Sequence, residues 1–345
     1  LGLFAAGALL FYPASQTMVY GHFLAALFIL AGGLSILETT ANPYIIAMGR
    51  EETGTRRLNL AQSFNPIGSI TGVVLSKFFI LSQLNQAGAE ERAAMTAAEL
   101  QAIQSQELSA VMGPYVGIAL VLVLLWLIIA FYPMPTASDT DERLDLGPTL
   151  LRLLRNPHYR WGVIAQFFYV GAQIGVWSFT IRYVMKELGL NEEEASSYYI
   201  AALILFTISR FICTWLMNYI APHRLLAVLA FLAIALTAVV ILGGGYVGVY
   251  ALVGISACMS LMFPTIFGLA SADLGPDRKI GGSGLIMAIL GGAVLTMVQG
   301  QISDATGDIN LSYIVPLLCF ALIAYYALVK SQQGLSRAFR EAQAG

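Results

Sequence analysis

Four polar side chains interrupt two apolar stretches near the start of the chain. Glu38 and Asn42 lie in the first stretch, and Gln62 and Asn65 enter the second after a short basic turn. Residues three or four apart share one face of a helix, and helices joined by a short turn are antiparallel neighbours. The spacing therefore predicts a carboxylate and three amides around one cavity. Such groups suit a polyhydroxylated solute, because each hydroxyl both donates and accepts hydrogen bonds.

Glu38 is the most costly of these groups. It lies ten residues before Met48, where the apolar stretch ends. That distance is ~15 Å along a helix, near the middle of a ~30 Å hydrocarbon layer. A carboxylate there costs at least ~2.5 kcal/mol unless it faces a cavity or a partner, and such groups commonly relay protons. We interpret Glu38 as a functional carboxyl able to exchange protons, with a static ion pair or a protonated structural hydrogen bond as the alternative. For the amides the alternative is polar packing between helices.

A second group of candidate residues lies past the middle of the chain. Tyr169, Gln173 and Trp177 follow one another at intervals of four, so they form a stripe on one helix face. Aromatic faces stack on the apolar faces of sugar rings, although Trp and Tyr also anchor helices at the membrane interface. Phe206 and Arg210 are again four residues apart. Arg210 would hydrogen-bond to a solute, pair with a carboxylate, or form a structural pair.

The composition determines which elements position these residues. Of 345 residues, 58% are hydrophobic and only 11% are charged, and the mean hydropathy is +0.74. Soluble domains have about 25% charged residues, whereas runs of about 20 apolar residues span a bilayer as helices. The chain contains about ten such runs. It is therefore predicted to be an all-α polytopic membrane protein in contact with the lipid bilayer.

Several functions are excluded by what the sequence lacks. The net charge is −2 and no basic patch indicates a nucleic-acid partner. The three cysteines lie in apolar runs and the three histidines are scattered, so neither a disulfide framework nor a metal site is predicted. No ATP-binding loop, zinc-protease motif or nucleophile elbow occurs. We therefore expect no enzyme activity and no cofactor.

The loops divide the chain into two bundles. We expect an N-terminal bundle over residues 1–132, a linker over 133–160 with a short amphipathic helix, a six-helix bundle over 161–330 and a tail over 331–345. A long polar loop is predicted over 85–109. Lys and Arg concentrate in the linker, in alternate loops and in the tail, which predicts that linker and tail are cytoplasmic.

An internal repeat supports the two bundles. Shifting the chain by 221 residues aligns Pro43 with Pro264, Glu52 with Asp273, Gly54 with Gly275, and Arg57 with Arg278. Parallel repeats of this kind build transporters from two six-helix halves. On this basis about ten of twelve spans are present. The first two helices and part of the third are expected to precede the apolar start LGLFAAGALLFYPA.

The motifs ETTANP, RLNLAQSFN, YVGAQ, WSFTIRY, PTIF and ISDATG together resemble those of the L-fucose:proton symporters of the major facilitator superfamily. The resemblance covers nearly the whole chain. It implies a twelve-helix, two-bundle fold with a central cavity and alternating access. It also implies uptake of L-fucose with a proton as coupling ion, in a monomer of the bacterial inner membrane.

The resemblance also assigns site residues. The glutamate of ETxANP couples protons in that family, which falls on Glu38, and the sugar path falls on Gln62 and Asn65. Relatives carry a tyrosine where this chain has Phe263, a change that would alter sugar preference. Their glutamate pairs with an aspartate on the first helix, which is not in this sequence, so the chain as it stands is expected to be inactive. A glucose/galactose-type hexose symporter and a sugar sensor without transport are the alternatives.

Overall fold

The computed structural model of the protein describes residues 1–79, 95–133, 146–272 and 274–344. Within these ranges its regular structure is helical, which confirms the all-α fold class. The first helices are α1 (Gly2–Thr17), α2 (Tyr20–Ala47), α3 (Gly54–Gln62), α4 (Asn65–Phe79) and α5 (Ala97–Phe131). They are followed by α6 (Leu146–Arg155), α7 (Pro157–Leu188), α8 (Glu192–Leu216), α9 (Pro222–Gly243), α10 (Gly245–Met259), α11 (Met262–Ser271), α12 (Arg278–Met287), α13 (Leu290–Thr306), α14 (Ile309–Ser312) and α15 (Ile314–Ala344).

The described part of the chain contains eight helical stretches long and apolar enough to cross a membrane. The sequence predicts about ten spans, which is two more than these eight. One of the two further segments contains α1, with 16 residues, and the other contains α3 and α4, with 9 and 15 residues. The protein is therefore a multi-pass membrane protein, as its composition predicts.

Helix α5 begins inside a region that the sequence predicts as a loop. The predicted polar loop over 85–109 is wrong from Ala97 onward, because α5 already begins there. Thr96 and Glu99 form a capping box, and the Ala- and Glu-rich sequence that follows favours helix over loop. Three parts of the predictions lie outside the described residues. They are residues 80–94, which include the start of that loop, residues 134–145 of the predicted linker, and Asp273 of the repeat. The amphipathic helix expected in the linker is α6.

The chain forms two compact units, Leu1–Ala41 with Gly68–Thr136, and Asn42–Ile67 with Ala137–Gly345. In the first unit α1 packs on α5, where Phe11 stacks on Tyr115 with ring centroids 4.2 Å apart. A Cβ on Gly7 would lie 2.5 Å from the backbone nitrogen of Leu30, so glycine lets α1 approach α2 closely.

The second unit is organised around α7, which packs on α8, α10, α11, α13 and α15. Its buried Tyr183 donates to the carbonyl of Val240 at 2.8 Å and meets Tyr313 edge to face. A Cβ on Gly291 would collide with the carbonyl of Phe167, so a glycine there is what allows α13 to approach α7. Asn156 caps the start of α7 by accepting from two backbone N–H groups.

The repeat is visible as an equivalent arginine–carbonyl hydrogen bond in two turns. Arg57 donates to the carbonyl of Arg50 at 2.9 Å, and Arg278 donates to the carbonyl of Ser271 at 3.3 Å. Both donors and both acceptors are related by the same 221-residue offset. Arg278 also pairs with Glu51, so the two turns contact each other within the second unit.

Candidate functional site

The three predicted amides form one hydrogen-bonded chain. The side-chain nitrogen of Gln62 donates to the side-chain oxygen of Asn42 at 2.9 Å, and that of Asn65 donates to the oxygen of Gln62 at 3.4 Å. Asn42 is 2% exposed, Gln62 is half-buried and Asn65 is exposed. The chain of amides thus leads from the protein surface to a buried end. The three amides lie close together, as predicted, while a shared cavity with Glu38 stays a prediction.

A helix break places Gln62 and Asn65. Helix α3 ends at Gln62 and α4 begins at Asn65. Ser63 satisfies the end of α3, because its hydroxyl donates to the carbonyl of Asn59 at 2.8 Å and its N–H to that of Leu60 at 3.1 Å. Pro66 follows at once and has no N–H to continue the helix. The two amides therefore flank a break between two helices instead of lying within one regular helix.

The buried end of the amide chain has unused hydrogen-bonding capacity. The side-chain nitrogen of Asn42 has no partner among the described residues. A buried donor without a partner costs about 1–3 kcal/mol, so this group is suited to a ligand that supplies an acceptor. A sugar hydroxyl supplies one and can donate in turn to a neighbouring amide oxygen.

Arg210 lies directly behind Gln62. It is 4% exposed, and it donates to the carbonyl of Gln62 at 2.9 Å and to the carbonyl of Ser260. Its guanidinium carbon lies 4.5 Å from the ring centroid of Phe206, which is a cation–π contact. In the structure Arg210 binds backbone carbonyls, which is closest to the structural role among the three that the sequence left open. No carboxylate pairs with it among the described residues.

Aromatic rings continue the site on the other side of Arg210. Trp177 meets Phe206 edge to face with centroids 5.0 Å apart, and its indole N–H donates to the hydroxyl of Ser256 at 3.2 Å. Phe263 lies 6.2 Å from the ring of Tyr169. These rings supply flat apolar surfaces within the same unit as the amides.

The remaining predicted residues are placed separately. Gln173 is half-buried on α7, between Tyr169 and Trp177. Glu38 is half-buried in α2 and belongs to the first unit, four residues before Asn42 in the same helix. The nearby hydroxyl of Thr40 donates to the carbonyls of Ile36 and Leu37, so it does not interrupt the helix.

Sequence reasoning missed two supporting contacts. Ser256 holds Trp177, and Asn59 donates to the hydroxyl of Thr265 at 3.2 Å, which joins α3 to α11. Asn59, Ser256 and Thr265 are fully buried polar residues. Their types were visible in the sequence, but the partner of each residue was not.

No group of metal-binding side chains occurs in the part of the chain that the structure describes. The three cysteines, Cys213, Cys258 and Cys319, are free and buried. The chemistry of the site is therefore that of amides, aromatic rings and one arginine, which suits a neutral hydroxylated ligand better than an ion.

The family is decided by comparison with known proteins. A family model described as "Major Facilitator Superfamily" matches residues 1–294. The chain belongs to the major facilitator superfamily. Within the superfamily it groups with the L-fucose-proton symporters. The protein of that name from Escherichia coli (strain K12) is 41% identical over 338 residues, which cover 96% of this chain and 77% of the relative.

A glucose/galactose transporter of Brucella abortus is 35% identical over 330 residues, covering 95% of this chain and 76% of the relative. The crystal structure of the transporter FucP in the outward conformation matches with a TM-score of 0.88 at 41% identity, covering 95% of this chain and 80% of that one. These superfamily members are transporters, which confirms a transport protein rather than an enzyme.

Proposed function

We propose that this superfamily member takes up a monosaccharide, with L-fucose as the first choice, together with a proton. The observation that carries the proposal is the continuous path from Asn42 through Gln62 and Arg210 to Phe206 and Trp177. One end offers donors and acceptors for hydroxyl groups, and the other offers aromatic faces for the apolar face of a sugar ring. Relatives named as fucose and hexose transporters support the same ligand class.

Each site residue has a proposed part. Asn42, Gln62 and Asn65 bind sugar hydroxyls. The aromatic residues and Gln173 form the opposite side, namely Trp177, Phe206 and Phe263. The tyrosine that relatives carry at the position of Phe263 would add a hydroxyl, so its absence favours a different set of accepted sugars. Arg210 completes the site behind Gln62.

Glu38 is proposed as the proton-coupling residue. A half-buried carboxyl in a membrane helix can hold a proton while a neutral sugar binds, and release it after the protein changes conformation. Symport then follows if the carrier reorients only when both the proton and the sugar are bound, or when both are absent.

The organisation of the protein is proposed from its loops. Residues 1–132 form the N-terminal bundle, 133–160 the cytoplasmic linker, 161–330 the C-terminal six-helix bundle and 331–345 a cytoplasmic tail. The excess of Lys and Arg in the linker and tail supports this orientation in the bacterial inner membrane. We propose a monomer, because the proposed sugar-binding residues all lie on one chain.

Uptake by the full-length protein in a transport-deficient host tests the proposal. Radiolabelled L-fucose should accumulate above its external concentration, and a proton uncoupler should abolish that accumulation. An excess of unlabelled L-fucose should compete better than galactose or glucose. Uptake that survives the uncoupler contradicts proton coupling, and stronger competition by galactose or glucose favours the hexose alternative that the Brucella relative represents.

A further inference from the structure

Arg210 joins two helix breaks that come from different halves of the sequence. Helix α3 stops at Gln62, and α10 stops at Met259, one residue before Ser260. The guanidinium donates to the carbonyls of Gln62 and Ser260. It lies on α8, so three separate helical segments meet at one side chain.

Both acceptor carbonyls are ones that proline leaves without a donor. In an α-helix each carbonyl accepts from the N–H four residues later. For Gln62 that residue is Pro66, and for Ser260 it is Pro264. Proline has no N–H, so neither carbonyl can accept the usual α-helical hydrogen bond. Arg210 replaces both lost donors.

An arginine is well matched to this task. Its planar guanidinium carries five N–H donors in a fixed fork and stays charged, so one side chain can serve acceptors on two segments. Burial of that charge is costly unless it is hydrogen-bonded, and here the carbonyls and the Phe206 ring surround it. The carbonyl of Met259, next to the same break, accepts from Tyr169 at 3.1 Å.

We propose that Arg210 is a positioning residue for the sugar site, which fixes Gln62 by supplying the donors that Pro66 and Pro264 remove. This inference rests on the proposed sugar transport. The bond to the Gln62 carbonyl holds the last residue of α3 against α8. The side chain of Gln62 is thereby aimed at Asn42, and the amide chain keeps its geometry without any contact between Arg210 and sugar.

Proline substitution gives a direct test by rescue. Arg210→Met removes every donor and keeps an unbranched apolar side chain. In the full-length protein we expect the half-saturating L-fucose concentration to rise about tenfold, as for loss of a hydrogen bond from a charged group, with a smaller change in maximal rate. Pro66→Ala returns an N–H four residues after Gln62. The double variant Arg210→Met/Pro66→Ala should recover most of the affinity.

Pro316→Ala is the matched control. Pro316 lies inside α15, and the carbonyl four residues before it belongs to Ser312, which is not a partner of Arg210. This substitution should leave the affinity of Arg210→Met unchanged. Equal rescue by Pro316→Ala, or no rescue by Pro66→Ala, overturns the proposal, because a backbone N–H at position 66 cannot replace a direct sugar ligand.

Thermal unfolding of the purified full-length protein provides a readout that needs no sugar. Arg210→Met should lower the melting temperature, and Pro66→Ala should restore part of the loss. If Arg210→Met alone yields no folded protein, recovery of folded protein in the double variant supports the proposal and failure to recover it overturns it. If the unaltered protein neither binds nor transports L-fucose, the proposed function fails while the melting cycle still decides the role of Arg210.

Discussion

The turns that follow α2 and α11 share a framework and differ in chemistry. In each turn an arginine binds the carbonyl seven residues before it, through Arg57 and Arg278. Glu38 and Asn42 lie in α2, before the first turn. The repeat offset aligns them with Met259, the last residue of α10, and with Phe263 in α11. The two turns therefore share a framework, whereas a carboxylate and an amide at these two aligned positions occur in the first half only.

The two helices also respond differently to their prolines. Helix α2 runs unbroken through Pro43, whereas its counterpart stops at Met259, before Pro264. At the second position neighbouring helices supply side-chain donors to the carbonyls of Met259 and Ser260. A proline therefore does not by itself break a helix. The break before Pro264 is stabilised by side-chain donors from neighbouring helices.

The sharpest test of the chemical asymmetry is Glu38→Gln. We expect loss of L-fucose accumulation against its gradient, because the amide cannot carry a proton, while exchange of labelled for unlabelled sugar persists. Transport assays in vesicles with and without a proton gradient measure both. Met259→Leu, at the equivalent position of the other half, should retain accumulation. A Glu38→Gln protein that still concentrates sugar would contradict the assignment.

The next largest effect is expected at the amide chain. Gln62→Ala removes the middle of the chain and leaves Asn42 and Asn65 without their shared partner. The half-saturating concentration of L-fucose should rise about tenfold or more. Ser283 is the residue that the repeat places opposite Gln62, and Ser283→Ala should change the value less than about twofold. Similar losses from both variants would show that the halves contribute equally.

The shared framework can be compared by removing each arginine. Arg57 donates to the carbonyls of Ile45, Ile46 and Arg50 and to the hydroxyl of Thr53. Arg57→Met should lower the free energy of unfolding by about 2–3 kcal/mol.

Arg278 makes one carbonyl bond and an ion pair with the exposed Glu51. Because exposed pairs contribute little, Arg278→Met should cost only about 1 kcal/mol. Unfolding in detergent, followed by circular dichroism, measures both variants. A larger loss for Arg278→Met would reverse the order expected from the contacts.

The smallest effect is expected at the paired glycines. Gly275 has a φ of +49° with open space around it, so Gly275→Ala should cost about 1 kcal/mol through backbone strain alone. Gly54 has a φ of −57°, which alanine adopts without strain, and a Cβ there would lie 3.0 Å from a methyl of the buried Ile46, which must shift by a few tenths of an ångström. We expect a smaller loss for Gly54→Ala in the same unfolding measurement. Equal losses would mean that packing, and not the backbone angle, decides both.

Much of the fold could be predicted from composition and periodicity. Apolar run lengths predicted a helical membrane protein, and the residue spacing predicted the contacts among Asn42, Gln62 and Asn65. The short turn made the two helices neighbours, which was enough to predict that Asn42 and Gln62 lie close together. The helix break between Gln62 and Asn65 was not predicted. The proton role of Glu38 stays a prediction that transport assays must test.

The partners of Arg210 could not be predicted from local rules. Pro66 and Pro264 show which carbonyls lack a donor, so those two acceptors were readable in the sequence. The donor lies 148 residues from one acceptor and 50 from the other, and only the packed fold brings them together. The start of α5 was missed for a different reason, since the polar sequence after Thr96 was read as a loop although it begins with a capping signal.

The amide nitrogen of Asn42, which has no partner among the described residues, has a consequence for selectivity. A sugar that lacks the hydroxyl facing this nitrogen would leave a buried donor unsatisfied and would gain little over the empty site. Deoxy and fluoro analogues altered at single ring positions would therefore identify the position that faces Asn42. Fluorine accepts a hydrogen bond weakly and donates none, whereas a deoxy position does neither. If the fluoro sugar is transported and the deoxy sugar altered at the same position is not, Asn42 needs an acceptor at that position.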